Sequence, residues 1–220
     1  MFKHKTIIFV FLMIGICAFN NVIAKDKNLP LLSKVIYLDP GHGGADSGAF
    51  YKNIKESDIN LQICKKVMTS LKKLGAVVYL TRYGDYDLSV SDAWNRKRSD
   101  LSRRANIINN SDCDLYLSVH LNAEDTGLFK GAETYYDTIN PENEKIAKIF
   151  QKEFQKNLNT NRNCKENSTK YLQRRVNRPG VLLEVGFLSN AGERALLTNE
   201  TYQNKLANVI TQSVNNYFNK

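Results

Sequence analysis

Val35-Ile36-Tyr37-Leu38-Asp39-Pro40-Gly41-His42-Gly43-Gly44 is an apolar run that ends in a glycine-rich turn. Its first four residues read as a buried strand, and Pro40-Gly41 with the two glycines beyond breaks that strand and presents an imidazole. Leu115-Tyr116-Leu117-Ser118-Val119-His120 repeats the arrangement further along. Beyond residue 24 the chain has no other histidine. Imidazole suits zinc, and a hydrolytic zinc site uses three protein ligands and keeps a fourth position for water. A lone histidine is more often a structural group; a matched pair accompanied by two acids points to a metal.

Glu56 is the candidate third ligand. It stands just before a helix that starts near Ser57, close enough to His42 in sequence for one return of the chain to bring it back. Glu184 sits inside Val181-Leu182-Leu183-Glu184-Val185-Gly186-Phe187, where an unpaired charge is expensive, so it needs a metal, a partner or a catalytic task. An ion pair with Arg104, Arg174 or Arg175 is the structural alternative. The spacing of Gly41, Gly43, Gly44 and Gly48 fits neither the dinucleotide nor the P-loop pattern, which leaves close backbone approach around the metal as their role.

Between these motifs strands alternate with helices. A helix with Ile59, Ile63, Val67, Leu71 and Leu74 on one side ends at Gly75, and Ala76 to Leu80 makes a second strand. The polar stretch from Arg82 to Asp100, with Trp94, reads as a loop on the rim of the site, and Leu101 to Asn109 as a short helix. A strand follows at Thr134 to Tyr136. Asn140-Pro141 opens a helix faced by Ile146, Phe150, Phe154 and Leu158, and Asn159 to Lys170 is a loop. A helix from Tyr202 to Phe218 closes the chain. The fold class expected is α/β: a single domain with a mainly parallel or mixed twisted sheet and helices on both faces. In such sheets functional groups collect at the carboxyl ends of strands, where Asp39, His42, His120 and Glu184 all fall.

At 220 residues the chain has room for one well-buried domain. Residues 1–24 read as a signal peptide, with Lys3 and Lys5 before an apolar run and Val22-Ile23-Ala24 before the cleavage point; an uncleaved membrane anchor is the alternative. Residues 25–33 form a short linker and 34–220 the catalytic domain. Three cysteines remain after the signal: Cys64 on an apolar helix face, and Cys113 and Cys164 in polar surroundings as candidate free thiols. The net charge of +9 on an exported protein favours an anionic cell wall as partner, and export with no nucleic-acid motif excludes nucleic acid.

The segments Leu38 to Gly44, Glu56 to Leu61, Ser118 to Ala123 and Leu183 to Asn190, in that order, resemble the zinc-dependent N-acetylmuramoyl-L-alanine amidases. Within that family the chain is similar to the germination-specific branch, which helps form muramic-δ-lactam in the spore cortex. The pointers are its compact length, the lack of a wall-binding repeat, the Asp85 to Arg104 stretch and Arg178-Pro179-Gly180. The resemblance implies that His42, Glu56 and His120 hold Zn2+, that Glu184 is the catalytic carboxylate, and that peptidoglycan is the substrate, with a protein activator as a further partner. Ser57 stands where many relatives carry lysine. Asp39 is expected either to hold the outer nitrogen of a liganding histidine or to fix the Pro40-Gly41 turn. Asn122 is expected to donate a hydrogen bond to the reacting group or to cap a turn. Arg174, with Arg175 and Arg178, is expected either to contact carboxylates of the stem peptide or to form a solvated basic face. A zinc peptidase or carboxypeptidase acting on wall peptides, and a catalytically silent peptidoglycan-binding protein, are the competing functions.

Overall fold

The computed structural model describes residues 29–219, so the expected signal segment lies outside the described residues. Six strands form one sheet in the order β4-β1-β5-β8-β6-β7. These are β1 (Val35–Pro40), β4 (Val77–Leu80), β5 (Leu115–Asn122), β6 (Glu133–Tyr136), β7 (Lys165–Glu166) and β8 (Gly180–Phe187). β4, β1, β5 and β8 run parallel to one another, whereas β6 is antiparallel to β8 and parallel to β7. A separate two-stranded hairpin joins β2 (Phe50–Tyr51) to β3 (Ile54–Lys55). The helices are α1 (Glu56–Lys73), α2 (Arg96–Asn109), α3 (Asn143–Asn157), α4 (Ala191–Leu197) and α5 (Glu200–Asn219). None of the described helices is long and apolar enough to cross a membrane.

Strand periodicity divides the central strands between two faces. Ile36 and Leu38 of β1, Leu115, Leu117, Val119 and Leu121 of β5, and Val181, Leu183 and Val185 of β8 join the main core with the apolar stripe of α1. α1 packs on β1, β4 and β5 and against α5, and α5 in turn packs on α3. The alternate residues, Tyr37, Asp39, Tyr116, Ser118, His120, Leu182 and Glu184, belong to the other face. There Ala105 and Ile108 of α2, with Leu172 and Val176, make a smaller apolar cluster around Tyr116. Because β5 and β8 are covered on both sides, they are buried along nearly their whole length.

α1 has a favourable charge pattern, Glu56 and Asp58 in its first turn and Lys72 and Lys73 in its last. No side chain caps its start. Instead the free N–H groups of Glu56 and Ser57 donate to the carbonyls of Ala49 (2.9 Å) and Ser47 (3.1 Å), which ties the helix to the glycine loop before it.

The elements depart from the expected ones where tertiary contacts override local pattern. α2 begins five residues before Leu101, because its buried residues include Asp100 and Arg104, which an apolar stripe cannot reveal. Asn140-Pro141 forms a turn ahead of α3: Asn140 Oδ1 accepts from the N–H of Glu142, and the helix starts at Asn143. The 159–170 loop contains β7, and α4 precedes the closing helix. The expected linker is built into the domain over its described part, with Leu31 fully buried and its N–H donating to Leu74 O at 2.9 Å. All three cysteines in the described residues are free. Cys113 points into the smaller apolar cluster rather than polar surroundings, and burial pushes its thiol up to about 11. Cys164 is half-buried against the main core.

Candidate active site

His42 follows β1 in the left-handed region at φ 62°, an uncommon conformation for a residue with a side chain. His120 lies within β5 directly opposite Glu184 of β8 in the parallel register. Glu56 enters from the first turn of α1. Its Oε1 stands 3.2 Å from His42 Nε2 and 3.2 Å from His120 Nδ1. One donor atom from each of the three residues falls within 4.8 Å of the others. The edge of a zinc tetrahedron built from Zn–N and Zn–O bonds is roughly 3.4 Å, so two histidines and a carboxylate at these separations match a zinc donor set in chemistry and spacing.

Two glycines make this convergence possible. A Cβ on Gly41 would lie 2.2 Å from His120 Cε1, and one on Gly48, which has φ 66°, would lie 2.5 Å from Glu56 Oε2. Any side chain at either position displaces a donor.

Glu56 is held at every turn. Its Oε1 also accepts from the N–H of Leu121 (3.0 Å) and from Asn60 Nδ2 (3.2 Å), and its Oε2 from the N–H of Ala49 (2.9 Å). Burial alone would raise its pKa, but the hydrogen bonds and charges of His120 and His42 outweigh that and hold it far below the usual carboxylate range. Burial likewise pulls His42 down, and Glu56, then Asp46, overcome it and raise its pKa above 6.5.

Glu184 is the opposite case. It is 5% exposed, and among the described residues its Oε2 has no hydrogen-bond partner and its ion-pair partner is Lys170, with Nζ 3.8 Å from Oε1. Burial dominates and raises its pKa, with Glu56 adding to the effect and His120 and Lys170 opposing it. The expected arginine partners are elsewhere. Arg104 pairs with Asp39 and Asp100, and Arg174 and Arg175 are exposed and do not line the site. Arg178 donates to the carbonyls of Asn109 and Ser111 at the end of α2.

Asp39 does not serve a histidine. Its carboxylate accepts from Thr81 Oγ1 (2.6 Å), Ser118 Oγ (2.7 Å) and Arg104 Nη1 (2.9 Å), which fixes the end of β1. The acceptor on the outer nitrogen of His42 is Asp46, 3.0 Å from Nδ1, itself 3.5 Å from Lys97 Nζ. Sequence reading missed Asp46, although the need of a metal-bound imidazole for a second partner was a signal to look for an acid in the same turn. Asn122 Oδ1 accepts from the N–H of Ala123.

His42, Glu56, His120 and Glu184 all face one cavity of about 480 Å³. Asn122, Lys97 and Lys170 also line it, and Leu101 and Leu182 supply apolar wall. The expected rim stretch reaches the cavity only through Lys97 and Asp100 of α2; none of residues Arg82 to Asn95 lines it, Asp85 accepts from the N–H of Gly44 at 2.9 Å, and Trp94 is fully exposed.

The family model of N-acetylmuramoyl-L-alanine amidases matches residues 36–216. The germination-specific N-acetylmuramoyl-L-alanine amidase of Bacillus subtilis is 43% identical over 203 residues, covering 90% of this chain and 86% of that protein. The N-acetylmuramoyl-L-alanine amidase LytC of the same organism is 32% identical over 91% of this chain, which spans 39% of LytC. Among solved structures, the CwlD amidase of Clostridioides difficile, in complex with the GerS lipoprotein, superposes with a TM-score of 0.80 at 37% identity, over 84% of this chain and 98% of that one. The match runs through all four motifs and both faces of the sheet: this chain belongs to the N-acetylmuramoyl-L-alanine amidase family.

Proposed function

We propose that this chain hydrolyses the amide between the lactyl group of N-acetylmuramic acid and the L-alanine of the peptidoglycan stem, using zinc held by His42, Glu56 and His120. The observation that carries the reading is the pairing of a zinc-spaced donor set with a buried, under-bonded carboxylate in a single cavity. Bound there, zinc supplies a Lewis acid that polarises the scissile carbonyl and acidifies water.

Glu184 takes the proton from the attacking water and passes it to the leaving amine nitrogen. A base for this work needs a pKa near working pH, and burial moves Glu184 in that direction. Its free Oε2 leaves an acceptor available for the proton. Asp46 keeps His42 oriented with Nε2 toward the metal position. Lys97 and Lys170 give the cavity mouth positive charge, which suits the carboxylates of a stem peptide.

The likeness to the germination-specific relative supports deployment in spore cortex modification, outside the cell membrane. Residues 1–24 as an export signal fit that location. The complex of the CwlD amidase with a lipoprotein supports a protein partner for this chain as well.

Digestion of purified peptidoglycan with the zinc-loaded enzyme, followed by mass spectrometry, tests the reading. Free peptides beginning with L-alanine, released only when metal is present, are the expected products. Cleavage within the stem would identify a peptidase, and binding without cleavage a silent module.

A further inference from the structure

Two buried arginines surround the His42 loop. Arg82 is fully buried and Arg104 is 1% exposed. Taking a guanidinium out of water is costly unless its donors are all met. Arg104 meets carboxylates, with Nε 3.0 Å from both oxygens of Asp100 and Nη1 2.9 Å from Asp39. Arg82 makes no ion pair among the described residues, and its donors end on backbone carbonyls: Nε on Pro40 (2.9 Å), Nη1 on Gly84 (2.9 Å), and Nη2 on Gly41 (3.0 Å) and Ser57 (2.7 Å).

The choice of carbonyls is informative. Gly41 precedes His42, and Ser57 follows Glu56, so one guanidinium joins the chain beside the first donor to the chain beside the second. Arg104 adds Pro40 O and the carbonyl of His42 itself, both at 2.7 Å, in the residue with left-handed backbone. A strained conformation persists only where its surroundings over-determine it, and these bonds do so.

We infer that Arg82 and Arg104 are positioning residues of the metal centre, presetting the spacing of His42 Nε2 and Glu56 Oε1 before metal arrives. The inference rests on the reading of His42, Glu56 and His120 as a zinc centre. Arginine suits the task because its planar fork aims five donors in fixed directions, whereas lysine offers a single point charge. A site already in register gives up less free energy to ordering when it binds.

The experiment measures zinc dissociation constants by chelator competition for wild type, Arg82→Lys, Arg104→Lys and Asp100→Asn, with thermal unfolding of each metal-free protein. Loss of outer support weakens metal binding by about 10–100-fold, the drop expected for both lysine variants. KM measured at saturating zinc stays at the wild-type value. Asp100→Asn keeps the volume and the other bonds of Arg104, so it decides the matter if a lysine variant does not fold; its expected loss is several-fold. Leu206→Ala, in the main core on α5, serves as the control that lowers stability and leaves the zinc constant unchanged. A wild-type zinc constant in folded Arg82→Lys, Arg104→Lys or Asp100→Asn overturns the inference, as does equal weakening in the control. Failure of the wild-type protein to bind zinc overturns the metal-centre reading itself, a different result.

Discussion

Two acids share one cavity and are treated in opposite ways. Glu56 has both oxygens engaged, by two imidazoles, two backbone N–H groups and an amide, and its pKa is driven down. Glu184 is similarly buried, has one oxygen without a hydrogen-bond partner among the described residues and the other 3.8 Å from Lys170 Nζ, and its pKa is driven up. Burial is therefore common to both, and hydrogen bonding is what separates them. The satisfied carboxylate is fixed and charged, as holding a cation requires. The unsatisfied one is free to change protonation, as moving a proton requires.

The strongest way to break this comparison is to neutralise each acid in turn. Glu184→Gln is expected to lower kcat by about 10²–10⁴-fold while zinc content stays stoichiometric, measured by turnover and elemental analysis on the same sample. Glu56→Gln is expected to lose stoichiometric zinc. If both variants lost metal equally, the division of labour between the two acids would be wrong.

A steric test sharpens the Glu56 side. Gly48→Ala places a Cβ against Glu56 and His42 at a positive φ, so it should destabilise the protein by about 1–3 kcal/mol and weaken zinc binding, read by thermal unfolding and chelator competition. The same substitution at an exposed glycine away from the cavity should leave zinc binding alone.

Metal-free protein gives a pH test. The depressed Glu56 contributes stability above its ordinary 4.5 that is lost as pH falls toward its lowered value, and the raised His42 contributes stability below 6.5 that is lost as pH rises through its elevated value. The site's contribution should thus be greatest between about pH 4.5 and 6.5, seen as a maximum in the difference between wild-type and Glu56→Gln melting temperatures. A difference flat from pH 3 to 9 would remove the electrostatic account of Glu56.

The smallest effect concerns Lys170, which opposes the upward push on Glu184. Lys170→Met should raise the pKa of Glu184 further and move the acid limb of kcat/KM to higher pH. An exposed cation of this kind is worth about 0.2–1 kcal/mol, or roughly 0.2–0.7 pH units. A shift to lower pH would show that Lys170 acts on some other group.

Much of this arrangement is legible in the amino-acid sequence. Apolar runs that lead into His42 and His120, and an acid stranded in the apolar Val181 to Phe187 segment, are departures from local pattern, and such departures mark sites. What escaped notice obeys a different logic. Asp46 is an ordinary-looking acid in a loop until the ring of His42 is placed beside it. Arg82 looks like a solvated charge because periodicity is blind to polar residues that are buried by bonding to carbonyls, and Arg104, expected as a partner of Glu184, is buried against Asp39 and Asp100 instead. The same blindness hid the start of α2, whose inward positions include Asp100 and Arg104. The direction of β6 was not readable either, since alternation reports which face a residue takes and not which way the strand runs.

The most direct measurement of the central claim pairs metal analysis with product mass for wild type and Glu184→Gln digesting the same peptidoglycan. The account predicts one zinc in each protein, peptides with a free L-alanine amino terminus from wild type, and almost none from the variant. Wild-type turnover by zinc-replete Glu184→Gln would contradict it.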